Sequence, residues 1–321
     1  MKSLKSIYFA EPLLRTEINV SNSTVFNKKM VSVDLERKAD EEWNEKVNQN
    51  PRLFNGTKFR LDGWNVTRGQ LETDLDMEIV LPDNGSTEFV MNVGFTSYKE
   101  NVTSSLSRYS GELAKYGAEQ YGDPQACMAD VIANAGLVIT SDNFALIQLR
   151  SHLVGDLQGL WHFPGGHAEP GEVGVRSEDD LETVGSDDIV GEVFGSLVRE
   201  IKEEINITEE YLSDPRLLGI CRYNTTFKPE LHFVLFVKLT AREVSRLYHA
   251  EDFTDFESED IGFWEVPQLD LTDKETIDIH KFRGDSSEVI SVSVDLLASC
   301  SIKLVEGVQK ILSYNPDLFN V

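Results

Sequence analysis

The run LVREIKEEINI, residues 197–207, places Glu200, Glu203 and Glu204 inside a segment with helical apolar spacing. At about 100° per residue, Phe194, Leu197, Val198, Ile201 and Ile205 share one arc of a helix, while the three glutamates share another as i, i+3 and i+4 neighbours. Like charges at that spacing cost roughly 0.2–0.5 kcal/mol per pair. Two arrangements tolerate the cost: a solvated face in an acidic protein, or a set of hard oxygen ligands for a divalent cation, Mg²⁺ first and Mn²⁺ second. Carboxylates holding such a cation would suit chemistry on a phosphate, because the ion offsets phosphate charge and lowers the pKa of a bound water.

Thirty basic and fifty-five acidic residues give a net charge of −25 over 321 residues. A broad basic surface for nucleic acid or an anionic membrane is thereby excluded, and an anionic small molecule would need local help from a metal or a few arginines. No apolar run reaches the roughly 18 residues of a membrane span, and MKSLKSIYFAEPLLRTE lacks an uninterrupted apolar signal core, so a cytoplasmic location is expected. Cys127, Cys221 and Cys300 lie far apart without C-x-x-C spacing, so they are expected as buried free thiols rather than as a disulfide framework or a zinc ribbon. Oligomeric state is not fixed by the sequence.

The elements that must position the glutamates follow from periodicity. Leu35, Ala39, Trp43 and Val47 predict a helix ending near Pro51. KFRLDGWNV predicts a strand, and DMEIVL with TEFVMNVGF around Pro82-Asp83-Asn84-Gly85 a hairpin. After a helical stretch around 104–120, ADVIANAGLVIT and FALIQLRS flank Ser141-Asp142-Asn143 as a second hairpin. Beyond the acidic-faced helix come strands RLLGICRYNTT and LHFVLFVKL, a helix after Thr240, IGFWEV as a last strand, and a closing helix over 286–313. Mixed strands and helices of this kind imply an α/β or α+β sandwich. Residues 173–191, rich in Asp, Glu, Gly and Ser, are expected as a mobile surface loop.

PGGHAEPGE and LVREIKEEINI together resemble the Nudix box of the Nudix hydrolases, in which a glycine and a glutamate with five residues between them precede Arg-Glu-apolar-x-Glu-Glu-x-Gly-apolar. Gly166 and Glu172 match the first spacing, and Arg199, Glu200, Ile201, Glu203, Glu204 and Ile207 match the second part in register. Residues 173–198 separate the halves, an insertion of 19 residues beyond the family spacing of seven. A loop absorbs such length at a cost that grows only logarithmically. Asn206 stands where the family has glycine, at a helix end that favours a left-handed backbone. ESEDIGFWEVPQL resembles the Trp-containing strand near the end of Nudix domains, and PRLFNGTKFRLDG, NVGFTSYKEN and RLLGICRYNTT are similar to the animal uridine diphosphate glucose pyrophosphatase branch, so the likeness runs from about residue 40 to 315.

That resemblance implies an α/β/α sandwich, with residues 1–125 as an N-terminal β-rich, substrate-contacting region and 126–321 as the catalytic domain. It implies Mg²⁺-dependent hydrolysis of UDP-glucose or UDP-galactose to UMP and the sugar 1-phosphate. ADP-ribose, a dinucleoside polyphosphate or a coenzyme A derivative is the alternative substrate, and a non-catalytic nucleotide-binding module the third reading. Glu200, Glu203 and Glu204 are the expected metal ligands, with Glu200 or Glu204 assisting water deprotonation and Arg199 orienting a box glutamate. Gly165 and Gly166 should turn the backbone tightly toward the metal. Phe95 and Tyr98 could stack on uracil, Thr96 or Ser97 could hydrogen-bond it, and Arg150 and Arg222 could meet phosphates. Glu259 and Asp260 are further candidates for a metal ligand, whereas His167 and His232 are expected to be structural.

Overall fold

The computed structural model describes residues 6–73, 77–154, 157–223, 228–251, 253–254 and 256–319. Strands β1 (Ser6–Leu13), β2 (Ile18–Asn22), β3 (Thr57–Arg68), β4 (Gln70–Thr73), β5 (Met77–Leu81) and β6 (Glu88–Ser97) precede β7 (Ala133–Thr140), β8 (Phe144–Arg150), β9 (Trp161–His162) and β10 (Gly165–His167). They are followed by β11 (Arg216–Arg222), β12 (Pro229–Val237), β13 (Ser258–Glu265), β14 (Thr276–Arg283) and β15 (Ser286–Ser293). The helices are α1 (Val33–Gln49), α2 (Tyr98–Thr103), α3 (Ser110–Tyr121), α4 (Ser186–Ile205), α5 (Ala241–Tyr248) and α6 (Ser299–Tyr314). No helix among the described residues is long and apolar enough to cross a membrane.

The large sheet runs β15-β14-β13-β8-β7-β12-β11-β1-β5-β4, with β10 on β7 and β9 on β8. Successive side chains leave opposite faces of a strand, and both faces are apolar here. Val138 of β7 and Phe233 and Leu235 of β12 join the core beneath α4. Leu137 and Ile139 of β7 and Val234 of β12 join the one beneath α6. Two helices on opposite faces of one sheet give the α/β/α sandwich. α4 commits Ile189, Val190, Val193, Phe194, Leu197, Ile201 and Ile205 to its core. At about 1.5–3 kcal/mol per fully buried large side chain, that stripe outweighs the repulsion between its glutamates, so stability alone does not explain why they are there.

The N-terminal region departs from the expected hairpin. β5 joins the large sheet, parallel to β1, whereas β6 joins a separate sheet ordered β2-β6-β3. β1 in turn pairs antiparallel with β11. The acidic insertion is also different from the expected mobile loop. Val175 and Leu181 are fully buried, and α4 already begins at Ser186. Asn22 Nδ2 donates to the carbonyls of Leu181 (2.6 Å) and Val184 (3.1 Å), and Glu182 Oε1 accepts from the Ser23 hydroxyl at 2.7 Å. The insertion thus straps the small sheet to α4.

At the C-terminus the expected helix over 286–313 starts only at Ser299, and IGFWEV is not the last strand. Val289 and Val292 sit in the alternating, β-branched stretch SSEVISVS, and Gly284 (φ +56°) turns β14 back into β15. β11 ends at Arg222, and the Asn224–Thr226 end of the expected strand lies outside the described residues.

α6 approaches the sheet over the ring of Tyr8. A Cβ at Gly307 would lie 2.1 Å from Tyr8 Cε1 and Cζ. Gly307→Ala must displace a buried aromatic or the helix, and overpacking of this kind costs about 1–3 kcal/mol. A lower denaturation midpoint with unchanged m-value is the expected result in urea.

Candidate active site

A cavity of about 420 Å³ opens where α4, β10 and the start of β7 meet the end of β8 and the start of β12. Glu200 and Glu204 line it from α4, Gly165 and Gly166 from β10, Arg150 from β8 and Tyr98 from α2.

Helical spacing puts Glu200 and Glu204 one turn apart on the same side of α4. Glu204 is buried, 5% exposed. Burial, then the charges of Glu257 and Glu203, push the Glu200 carboxyl up to about 7. Gly165 and Gly166 are not the expected tight turn. They form a strand paired with β7 at Ala135 and Asn134, and they are glycine because neighbours come close. A Cβ at Gly165 would lie 2.0 Å from the Asn134 carbonyl oxygen, and one at Gly166 would lie 2.0 Å from Glu200 Oε1. The Glu200 carboxylate therefore rests directly on the Gly166 backbone.

Glu203 is exposed and does not line the cavity. It acts on the site through space, as one of the charges that raise the Glu200 pKa. Arg199 does not orient a box glutamate. Its Nη2 donates to Glu192 Oε1 at 2.7 Å and its Nη1 to Glu192 Oε2 at 3.3 Å. Glu192 Oε1 also accepts from the Glu169 amide at 2.8 Å, so this carboxylate ties α4 to the loop after β10. Glu172 is exposed and influences Arg199 only through its charge. Glu192 escaped the sequence reading because it falls between the two halves of the box, where the motif names no residue. Seven residues before Arg199, on one helix, is nevertheless the same face.

Phe95, Thr96 and Arg222 lie away from the cavity. Phe95 packs against the core under α4, and its amide donates to Asn27 Oδ1. Thr96 is buried, with its hydroxyl donating to Glu100 Oε2 at 2.8 Å. Arg222 is buried beside Asp130 (3.5 Å) and over the Trp64 ring, 5.1 Å from its centroid. Contacts within the small sheet and around β11 engage these side chains inside the protein. Asp260 is engaged by Lys281 at 2.7 Å and Arg283 at 2.5 Å, and Glu259 accepts from the His152 amide. The acid that reaches the cavity is Glu257, two residues earlier and 3.6 Å from Arg150 Nη2. His167 also lines the cavity, and burial holds its ring neutral by pushing its pKa well below the usual value.

Asn206 closes α4 in the left-handed conformation (φ 66°), and its Nδ2 donates to the Leu247 carbonyl at 2.9 Å. The departure from glycine is accommodated in the way asparagine permits.

An acidic helix packed on a Gly-Gly strand beside the central β7 of an α/β/α sandwich, the two joined through an insertion, is the setting of the Nudix box. The chain is 30% identical over 230 residues to Nudix hydrolase 9 of Arabidopsis thaliana, covering 68% of each chain, and it belongs to the Nudix hydrolase family. It is 29% identical over 231 residues to the protein named uridine diphosphate glucose pyrophosphatase NUDT22 of Mus musculus, covering 71% of this chain and 70% of that one. The Homo sapiens protein of the same name is 29% identical over 230 residues, covering 71% of each. No family model matches the chain. Among solved structures, a MutT protein from Methanosarcina mazei Go1 aligns with 57% of this chain and 94% of its own at 15% identity and a TM-score of 0.33, a loose superposition with no bearing on function.

Proposed function

We propose that the protein hydrolyses the pyrophosphate of UDP-glucose or UDP-galactose, giving UMP and the sugar 1-phosphate, with Mg²⁺ as cofactor and Mn²⁺ as a substitute. The observation that carries the reading is the meeting of Glu200 and Glu204 with Glu257 at one cavity, the first of them seated on Gly166. This all-oxygen donor set fits a hard divalent cation, and the glycine leaves room for it beside the carboxylates. When bound, such an ion supplies charge neutralisation at the phosphates and acidifies a coordinated water.

The remaining work falls to the chain. Glu200 and Glu204, joined by Glu257, would hold the cation. Glu200 or Glu204 would also assist deprotonation of the attacking water. Arg150 and Lys228 bring positive charge to the same cavity for phosphate oxygens, and Tyr98 offers a ring for uracil. The Arg199–Glu192 pair acts at one remove, fixing α4 against the loop after β10. Tyr98, Asn101 and Leu106 are the contribution of residues 1–125 to this cavity, in keeping with a substrate-contacting N-terminal region. The names of the relatives from Mus musculus and Homo sapiens support the choice of UDP-glucose.

Purified protein with Mg²⁺ and a panel of nucleotide sugars, resolved by chromatography, tests the assignment. UMP and glucose 1-phosphate in equal amounts are expected from UDP-glucose. Release from ADP-ribose with none from any UDP-sugar would overturn it.

The raised pKa of Glu200 also has a sign that can be checked. Its folded-state value of about 7 exceeds the ordinary 4.5, so the metal-free fold binds the extra proton between those values and loses stability as pH rises through them. A cation must displace that proton. Mg²⁺ affinity measured by calorimetry is therefore expected to rise up to about tenfold per pH unit below 7 and to level off above it, whereas a flat profile from pH 5.5 to 8 would contradict the assignment of Glu200 as ligand.

A further inference from the structure

Beneath the floor of the cavity, on the α6 side of the sheet, lies a second group of potential ligands. Cys221 of β11 and Glu230 and His232 of β12 are all buried, and one donor atom from each lies within 4.8 Å of the others. Register brings them together, since Cys221 pairs with Glu230 across the two strands and His232 follows two residues later on the same face.

We propose that Cys221, Glu230 and His232 form a zinc site, distinct from the carboxylate site on α4.

The hydrogen-bond accounting is the first support. The Tyr8 hydroxyl lies 2.9 Å from the Lys303 carbonyl oxygen and 2.8 Å from His232 Nδ1, and with its single proton donated to the carbonyl it accepts from an Nδ1 that carries hydrogen. In a neutral ring Nε2 then turns its lone pair toward Glu230 Oε2, 3.4 Å away. Glu230 Oε2 also accepts from the Tyr223 hydroxyl at 3.0 Å, which leaves its second lone pair, beside that of Nε2, open to a proton or a metal. The Cys221 sulfur at the same point selects the metal, and a thiolate with an imidazole and a carboxylate is a zinc set. An outer partner fixing the tautomer of a ligating histidine is a regular feature of such centres, and Tyr8 supplies it.

Charge balance is the second support. One thiolate and one carboxylate neutralise a divalent ion, so the complex is buried without net charge. Zinc takes a cysteine as the thiolate, so the Cys221 sulfur must give up its proton on binding. Binding then releases that proton to solvent. Zinc bonds of about 2.0–2.3 Å bring ligand atoms to roughly 3.3–3.8 Å apart, a closing movement of about 1 Å from the present spacing. Glu230 also lines the active-site cavity, which gives the site an approach from solvent.

The test uses the full chain, stripped with a chelator and titrated with Zn²⁺ alone and with Co²⁺ alone. One tightly bound Zn²⁺ per chain and a thiolate-to-cobalt charge-transfer band are expected, with affinity increasing with pH. Cys221→Ser abolishes the band, whereas Cys300→Ser and Glu204→Gln keep it. Tyr8→Phe keeps the stoichiometry and weakens the affinity by about 10- to 100-fold, the scale of an outer-sphere partner. Wild-type protein that shows no cobalt–thiolate band, or a band that survives in Cys221→Ser, overturns the proposal, and neither result depends on the hydrolase reading.

Discussion

Glu204→Gln is expected to lower kcat/KM for UDP-glucose by about 10²–10³-fold, the scale set by removing one preorganised charged group from a water-poor site. The substitution is nearly isosteric, and the residue it replaces is 5% exposed at the cavity wall, so little changes except the charge. Removing a buried carboxylate from between other acids relieves repulsion in the metal-free protein, so its midpoint of thermal unfolding should hold or rise. The companion variant is Glu203→Gln. That side chain points into solvent and reaches the site only as a distant charge. Exposed charges are worth about 0–1 kcal/mol, so its activity should stay within about fivefold of the wild type. Rates of UMP release at saturating Mg²⁺ for both variants separate a ligand from a neighbour. Equal losses in the two would mean that the exposed and buried glutamates are used alike.

Gly166→Ala is the second large effect, and there function should fail while the fold holds. The added Cβ would lie 2.0 Å from Glu200 Oε1, the far end of a flexible side chain that can swing away. Swinging away costs the protein little but removes the carboxylate from its place. A misplacement of about 1 Å at a reacting centre costs on the order of 10²-fold in rate, and a fall of that size in kcat is expected with the thermal midpoint within about 2 °C. Gly165→Ala is the opposite case. Its Cβ would meet the Asn134 carbonyl oxygen at 2.0 Å, which belongs to the β7 backbone and cannot move without breaking the β10–β7 pairing. That variant should lose stability first. Measuring kcat and thermal midpoint for both alanine variants checks the distinction.

Which parts of this were legible in the sequence follows from the range over which each signal acts. The apolar stripe and the acidic arc of α4 are local and periodic, so Glu200 and Glu204 could be placed on one side of a helix from spacing alone. Helix α1 was readable in the same way, as was the β7–β8 hairpin with its Asn143 turn. Strand partnership is not local. β5 and β6 are neighbours in sequence with a turn between them, yet they pair into different sheets, because β1 arrives from the N-terminus to take β5. The insertion read as loop because its charge hid Val175 and Leu181, two apolar residues that decide its packing. Glu192 and Glu257 were missed for a related reason. Each reaches its partner, Arg199 in one case and the cavity in the other, only once α4 and the segment before β13 are placed. Phe95, Thr96 and Arg222 show the reverse error, since a chemically able side chain on a strand may face either way, and only the sheet fixes which.

The central claim, that the α4 carboxylates hold a divalent cation at the Gly166 edge of the cavity, is tested most directly by anomalous scattering from crystals grown with Mn²⁺. The account predicts at least one manganese peak within bonding distance of the Glu200 and Glu204 carboxylates, facing β10. Manganese bound only to Glu203 at the surface, or no peak in the cavity at a concentration that supports turnover, would contradict it.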